Sequence, residues 1–234
     1  MDPVLCARTR NGTRAILLAA AVPLTGWAVH ATALHRRLAA GRVDPLTRLL
    51  RRDAYSACGR RLLARHGDDA IVAMVDLDHF KLINDRLGHA AGDMVLTAFG
   101  ARLTAWAGSH AAVGRIGGDE FALVLNLPAD RRVERLDQLM RMLRTPVVLD
   151  DGRVVEVAAS VGAATPAAVG SRDLSVLQRA ADIALYDGKH SGRVVLATTG
   201  HTTVPSLNGR RLGRLGTCRL PRATGSEASP PGGP

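Results

Sequence analysis

The sequence predicts an α/β protein whose mixed central sheet is flanked by helices. Three observations carry this. Helical and strand patterns interleave between residues 44 and 194. Residues 70–78, "AIVAMVDLD", form a continuous apolar run closed by acids, which suits a strand buried on both faces. Two hairpin signals, Gly117-Gly118 and Asp150-Asp151-Gly152, add antiparallel neighbours, so the sheet is not wholly parallel.

Element by element, Asp44-Pro45 reads as an N-cap followed by proline at the first helical position, opening a helix to about Arg65. The apolar strand follows, then a short helix through "FKLINDRLG". A longer helix starts near Gly92-Asp93 and carries Val95, Leu96, Phe99 and Leu103 at helical spacing. Strands near 112–116 and 121–127 flank the Gly117-Gly118 turn. Residues 131–144 place Val133, Leu136, Met140 and Leu143 on one helical face. "VVEVAASVGAAT" reads as the strand after the second turn, and a last helix spans about 173–191.

The net charge of +10 sits in the flanks. Residues 1–43 hold six Arg against Asp2, and residues 195–234 hold five Arg against Glu227, so the central domain is nearly neutral. With 3% aromatic residues, stacking platforms for nucleic acid are missing, and no specific nucleic-acid role is expected. Cys6, Cys58 and Cys218 show no paired spacing, which argues against a zinc site or disulfide framework. Residues 15–34 carry no Asp, Glu, Lys or Arg over a bilayer's length, but seven are Ala and Pro23 and Gly26 interrupt them. They read either as a membrane anchor or as an Ala-rich dimerising helix. Residues 195–234, rich in Gly, Pro, Ser and Arg, read as a disordered basic tail.

The chemistry concentrates in two stretches. Asp76 and Asp78, two apart at the end of a strand, project to the same side. Asp119 and Glu120 stand on the glycine turn of "GRIGGDEFAL". If that hairpin lies beside the apolar strand, several carboxylates converge at one sheet edge. Such a cluster calls for a cation, and hard oxygen donors suit Mg²⁺ or Mn²⁺. Two ions there would clamp both oxygens of an in-line phosphoryl displacement. Gly117 and Gly118 would let a nucleotide approach the backbone closely. Each stretch alone is equally compatible with solvated acids and a turn chosen for its φ angles.

"GGDEF" at 117–121, together with "DLDHFKLINDRLGHAAGD" at 76–93, resembles the diguanylate cyclase family. "DPLTRLLRR" from Asp44, "SVGAAT" from Ser160 and "ADIALYDGKHSGR" from Ala181 extend the resemblance over residues 44–194. It implies a fold like the palm of nucleotidyl cyclases and polymerases, and the joining of two GTP into cyclic di-GMP. It further implies that Asp76, the Leu77 carbonyl, Asp119 and Glu120 hold Mg²⁺ or Mn²⁺, with Asp119 as base for the ribose 3′-hydroxyl. Asn84 and Asp93 would read guanine, with His89 beside the substrate or packed as a neutral residue. Phe80 and Lys81 would offer backbone N–H groups to the β/γ-phosphates, and Lys189 and Arg193 would add a basic pair, unless they form a solvated helix face. Each domain would hold one GTP, so a homodimer would be needed. GTP as substrate places the catalytic domain in the cytoplasm, with residues 15–34 a possible anchor to the inner face of the membrane.

The chain departs from the family's pattern in places. Arg48 and Arg51 stand where relatives usually carry Gly and Asn, and Asp53 replaces the second Arg of that segment. Relatives inhibited by their product carry Arg-x-x-Asp upstream of the glycines. Here those positions are Gly108 and Ala111, so no product-inhibition site is expected. The competing reading is a catalytically weak GTP-binding module that regulates a partner.

Overall fold

The computed structural model of the chain describes residues 41–189, 191 and 193–203, and His30. Asp44 does cap a turn: its Oδ1 accepts from the Thr47 amide at 2.9 Å and the Thr47 hydroxyl at 2.8 Å. That turn does not grow into a helix. Arg48 follows at φ +61, and a left-handed residue stops right-handed propagation. Strand β1 (Leu50–Arg51) comes next, and helix α1 covers only Arg52–His66.

Strand β2 (Ala70–Leu77) is the predicted apolar run. Helix α2 (Phe80–Leu87) and helix α3 (His89–Ala107) follow, with α3 starting three residues before Gly92. Strands β3 (Ala112–Arg115) and β4 (Glu120–Asn126) form the predicted hairpin. Helix α4 (Ala129–Leu143) buries Leu136, Leu139, Met140 and Leu143 but leaves Val133 70% exposed. The expected stripe was right for three of its four residues; Val133 faces solvent instead.

The apolar stretch after Gly152 is two strands rather than one. Strand β5 (Val147–Val148) pairs with β6 (Val154–Val155) in a small separate hairpin, while β7 (Ala159–Ala164) joins the main sheet. An unbroken run of β-formers does not reveal a change of partner. A short helix α5 (Pro166–Val169) leads to α6 (Leu174–Asp187), whose N-cap Asp173 accepts from the amides of Ser175 and Val176. Strand β8 (Val194–Leu196) and helix α7 (Gly200–Thr203) complete the described chain. A tail boundary at 195 is therefore too early. The Ala197 amide donates to the Ala163 carbonyl at 2.7 Å, and Ala197 is buried.

The main sheet has the order β1-β3-β4-β2-β7-β8, parallel at β1/β3 and β7/β8 and antiparallel elsewhere. Strand β2 lies at its centre, and its period-two alternation feeds both faces. Ile71, Ala73 and Val75 meet Val95, Phe99, Leu103, Leu139 and Leu143 of α3 and α4. Ala70, Val72 and Met74 meet Tyr55, Leu63, Leu177 and Ala181 of α1 and α6. A fully buried Leu or Ile is worth roughly 1.5–3 kcal/mol, so these two layers fix the sheet and the edge at which its acids emerge.

Residues 204–234, and residues 15–34 apart from His30, lie outside the described residues. So do Cys6 and Cys218, while Cys58 is a half-buried free thiol. Among the described residues, no helix is long and apolar enough to cross a membrane.

Candidate active site

Pairing between β2 and β4 sets Asp76 directly opposite Glu120, and pairing between β2 and β7 sets Asp76 opposite Ser160. The Leu77 amide donates to the Asp119 carbonyl at 3.2 Å, which stitches the glycine turn to the end of β2. Asp76, Leu77, Asp119 and Glu120 thus share one end of the sheet. Glu120 is buried, while Asp76 and Asp119 are partly exposed. Asp78 lies just past the strand, where its Oδ1 accepts from the Ser160 hydroxyl at 2.8 Å.

Neither Gly117 nor Gly118 has a positive φ, so the turn's backbone angles do not demand glycine. A Cβ added at Gly118 would meet nothing within 4 Å. The space over the turn is open, as the approach of a ligand to the backbone requires.

Two arginines clamp this turn. Arg115 Nε and Nη2 both donate to the Gly118 carbonyl, at 3.0 and 2.7 Å, and its Nη1 reaches Asp44 Oδ1 at 3.2 Å. Arg52 Nη2 donates to the Ile116 carbonyl at 2.7 Å. Sequence reasoning missed the long-range arms of these clamps, Arg115 to Asp44 and Arg52 to Ile116, because they depend on β1 lying parallel to β3, with Leu50 opposite Gly114 and Arg51 opposite Arg115. A two-residue strand leaves no periodicity to read.

Burial pushes the Asp76 carboxyl above the ordinary carboxylate range, and the charges of Asp119 and Asp78 push the same way. The ammonium of Lys189, 3.0 Å from Asp76 Oδ1, offsets part of that rise. Lys189 and Arg193 do not share a helix face as their spacing suggested. Helix α6 ends at Asp187, and both residues lie in the connection to β8.

Phe80 and Lys81 open α2, directly after His79 at φ +58. A non-glycine residue in that region turns the chain sharply from the sheet edge into the helix. Asn84 belongs to α2, while His89, Gly92 and Asp93 stand in the first turns of α3. The Asn84 side-chain oxygen occupies the space that a Cβ on residue 92 would need, so Gly92 lets the amide lie against α3, whose next residue is Asp93. An amide and a carboxylate as a pair are complementary in kind to guanine's O6 acceptor and N1/N2 donors.

The oxygen donors suit a hard divalent ion, and the ammonium already held on Asp76 shows that this edge accepts positive charge. Among the described residues, however, no three Asp, Glu, His or Cys side chains converge into a metal cage. The donor set fits the ion in kind, and the side chains must turn to close on it.

At the opposite end of β3, Ala111 borders a groove of about 480 Å³ to which α1 contributes Arg61, Arg65 and His66. The basic character of that groove comes from a helix fifty residues earlier, which inspection of the 108–111 segment could not show.

A sequence model described as the diguanylate cyclase GGDEF domain matches residues 42–194. A 19.3 kDa Streptomyces ambofaciens protein of the repSA 5′ region is 43% identical over 172 residues, covering 74% of this chain and 91% of its own length. Diguanylate cyclase TpbB of Pseudomonas aeruginosa is 35% identical over 163 residues, covering 64% of this chain but only 35% of its own length. The solved GGDEF domain of TpbB superposes with a TM-score of 0.61 at 32% identity, covering 68% of this chain and 96% of that domain. The coiled coil and GGDEF domain of Caulobacter crescentus DgcB, solved with c-di-GMP, gives 0.64 at 26% identity, covering 79% of this chain and 98% of that one. With the same acids on the same sheet edge that its motifs foretold, the chain belongs to the diguanylate cyclase GGDEF-domain family.

Proposed function

We propose that the chain is a diguanylate cyclase that converts two GTP into cyclic di-GMP and two pyrophosphates. The observation that carries this reading is the register of β2 with β4. It sets Asp76 opposite Glu120 at a sheet edge, under a glycine turn open to a ligand.

Each half-reaction forms a bond from a ribose 3′-oxygen to the α-phosphorus of the other GTP and breaks the bond to pyrophosphate. The hydroxyl proton passes to Asp119 and then to solvent. Asp76, the Leu77 carbonyl, Asp119 and Glu120 are the residues that would hold Mg²⁺ or Mn²⁺. Bound there, the ion neutralises phosphate charge and acidifies the hydroxyl. Asn84 and Asp93 orient the base, the start of α2 at Phe80 and Lys81 receives the terminal phosphates, and Lys189 and Arg193 add positive charge. His89, exposed at the start of α3, adds a further candidate side chain for the substrate. One domain offers one GTP site, so closing both bonds takes two copies of the chain.

A second reading is favoured by one observation. Asp53 stands exposed in the first turn of α1, beside the Arg52 clamp, where the family carries a second Arg. An acid there repels phosphates, which suits a slow, GTP-holding regulatory module. The test is incubation of the purified chain with GTP and Mg²⁺, with mass spectrometry for cyclic di-GMP and Asp119→Asn as the blank. Loss of a base is typically worth about 10²–10⁴ in rate. Product from the wild type alone supports the cyclase. GTP binding with no product supports the module, and equal product from the blank sinks the assigned site.

A further inference from the structure

Asp76 is the point where two cations, the Lys189 ammonium and the divalent metal of the proposed reaction, compete for one carboxylate. Its side chain is 18% exposed, and the cation it holds is Lys189 Nζ, 3.0 Å away. The backbone beneath that lysine is fixed: its amide donates to the Tyr186 carbonyl at 3.1 Å, and the Ser191 amide donates to the Gly188 carbonyl at 2.8 Å. Only the four-carbon side chain is free to swing. With Asp76 engaged in this way, and Asp78 engaged with Ser160, no metal cage is closed among the described residues.

An ammonium and a divalent ion cannot share one carboxylate oxygen without strong repulsion at such short range. A phosphate, carrying more charge than a carboxylate, is the better partner for a lysine that is displaced. We infer that Lys189 is a tethered counter-cation that keeps Asp76 occupied, and that it yields Asp76 to a divalent metal only when the nucleotide's phosphates draw the ammonium away. The proposal rests on the nucleotide-binding reading above and adds a coupling to it. Metal and nucleotide each bind well only in the presence of the other, and by reciprocity the enhancement is the same in both directions. Lys189 then has two jobs in sequence, first as stand-in cation and then as phosphate contact.

The test uses the full chain and Mn²⁺, whose free form is read by electron paramagnetic resonance. Mn²⁺ is titrated alone into wild type, Lys189→Met and Lys189→Gln. Both variants are expected to bind it roughly three- to tenfold more tightly than wild type, the gain from removing one exposed competing charge. The affinity for α,β-methylene GTP, which cannot be cyclised, is then measured with and without Mn²⁺. The factor by which Mn²⁺ tightens the analogue should shrink in both variants by about the same three- to tenfold. Equal or weaker Mn²⁺ binding in both variants, or none detectable in either, overturns the proposal. Unchanged Mn²⁺ affinity in Asp76→Asn overturns it as well, because the metal is then held elsewhere. Cyclic di-GMP synthesis by the wild type, followed alongside, reports separately on the cyclase reading. Synthesis with equal Mn²⁺ affinities sinks the role of Lys189 alone.

Discussion

At φ +61, Arg48 holds a backbone conformation that costs a non-glycine residue roughly 1–2 kcal/mol. Arg48→Gly removes that cost but loosens the unfolded chain by roughly 0.5–1 kcal/mol. The variant should therefore gain roughly 0.5–1 kcal/mol, a rise of about 2–4 °C per kcal/mol in thermal midpoint. A lower midpoint would show that the turn does not need this conformation. Gly92 makes a different demand. Alanine is the better helix former by about 1 kcal/mol, but its methyl would crowd the Asn84 amide and the Phe80 ring, so Gly92→Ala should change stability by no more than about 1 kcal/mol. Its methyl would displace the Asn84 amide, and GTP affinity should fall by roughly tenfold, as loss of one buried hydrogen-bonding partner implies. Calorimetry and GTP titration on the same sample check both halves. Unaltered GTP affinity would remove Asn84 from the guanine site.

At the scale of elements, the clamp that ties the 44–48 turn to the β3–β4 hairpin is the main device. Arg115 joins Asp44 to the Gly118 carbonyl, so the segment entering the domain and the turn bearing Asp119 are mechanically one piece. Arg115→Ala should keep the fold but lower kcat by about tenfold or more, because sub-ångström positioning of the acids is lost. Arg115→Lys should not restore it, since a lysine cannot fork onto one carbonyl and a carboxylate together. A wild-type kcat in the alanine variant would refute the link. Asp44 carries a pH signature of the same clamp. Burial works to raise its carboxyl, but the bonds from Thr47 and Arg115 outweigh burial and hold it below the ordinary range. A lowered native pKa means stability that is present above the unfolded value of about 3.9 and lost as pH falls through the native one. The stability gap between wild type and Asp44→Asn should be constant at neutral pH and close below about pH 4 in urea titrations.

For the whole molecule, the half-site arrangement predicts concentration dependence. The chain without residues 1–43 should stay folded and bind GTP, yet lose specific activity on dilution, because two half-sites must then meet by diffusion. Activity independent of dilution would speak against two half-sites. Product feedback is a second property of this scale. Gly108 and Ala111 supply neither the fork nor the carboxylate expected of a site for cyclic di-GMP. Arg61 and Arg65 border the adjoining groove with no Asp or Glu among its lining residues. Any binding of the dinucleotide there should be weak and screened by salt. Micromolar inhibition abolished by changing residues 108–111 would reverse this expectation.

The sequence by itself determined the α/β class, the central strand, the hairpin and the acids they carry. An eight-residue apolar run and a glycine pair with adjoining carboxylates are local signals, strong enough to survive folding unchanged. It also named Asp76, Asp119 and Glu120 as one cluster; the β2–β4 register sets Asp76 opposite Glu120, while among the described residues the side chains do not close into a metal cage. Only the tertiary structure decided where the first helix starts, because one left-handed Arg48 and a two-residue parallel strand outweigh an N-cap that is plainly present. It likewise split the strand after Gly152, drew residues 194–197 into the sheet and turned Val133 outward. Contacts such as Arg115 to Asp44 and Arg52 to Ile116, and the ion pair of Lys189 with Asp76 across 113 residues, form between segments whose approach no local pattern encodes. Periodicity reports which face of an element is buried, and only packing decides what that face meets.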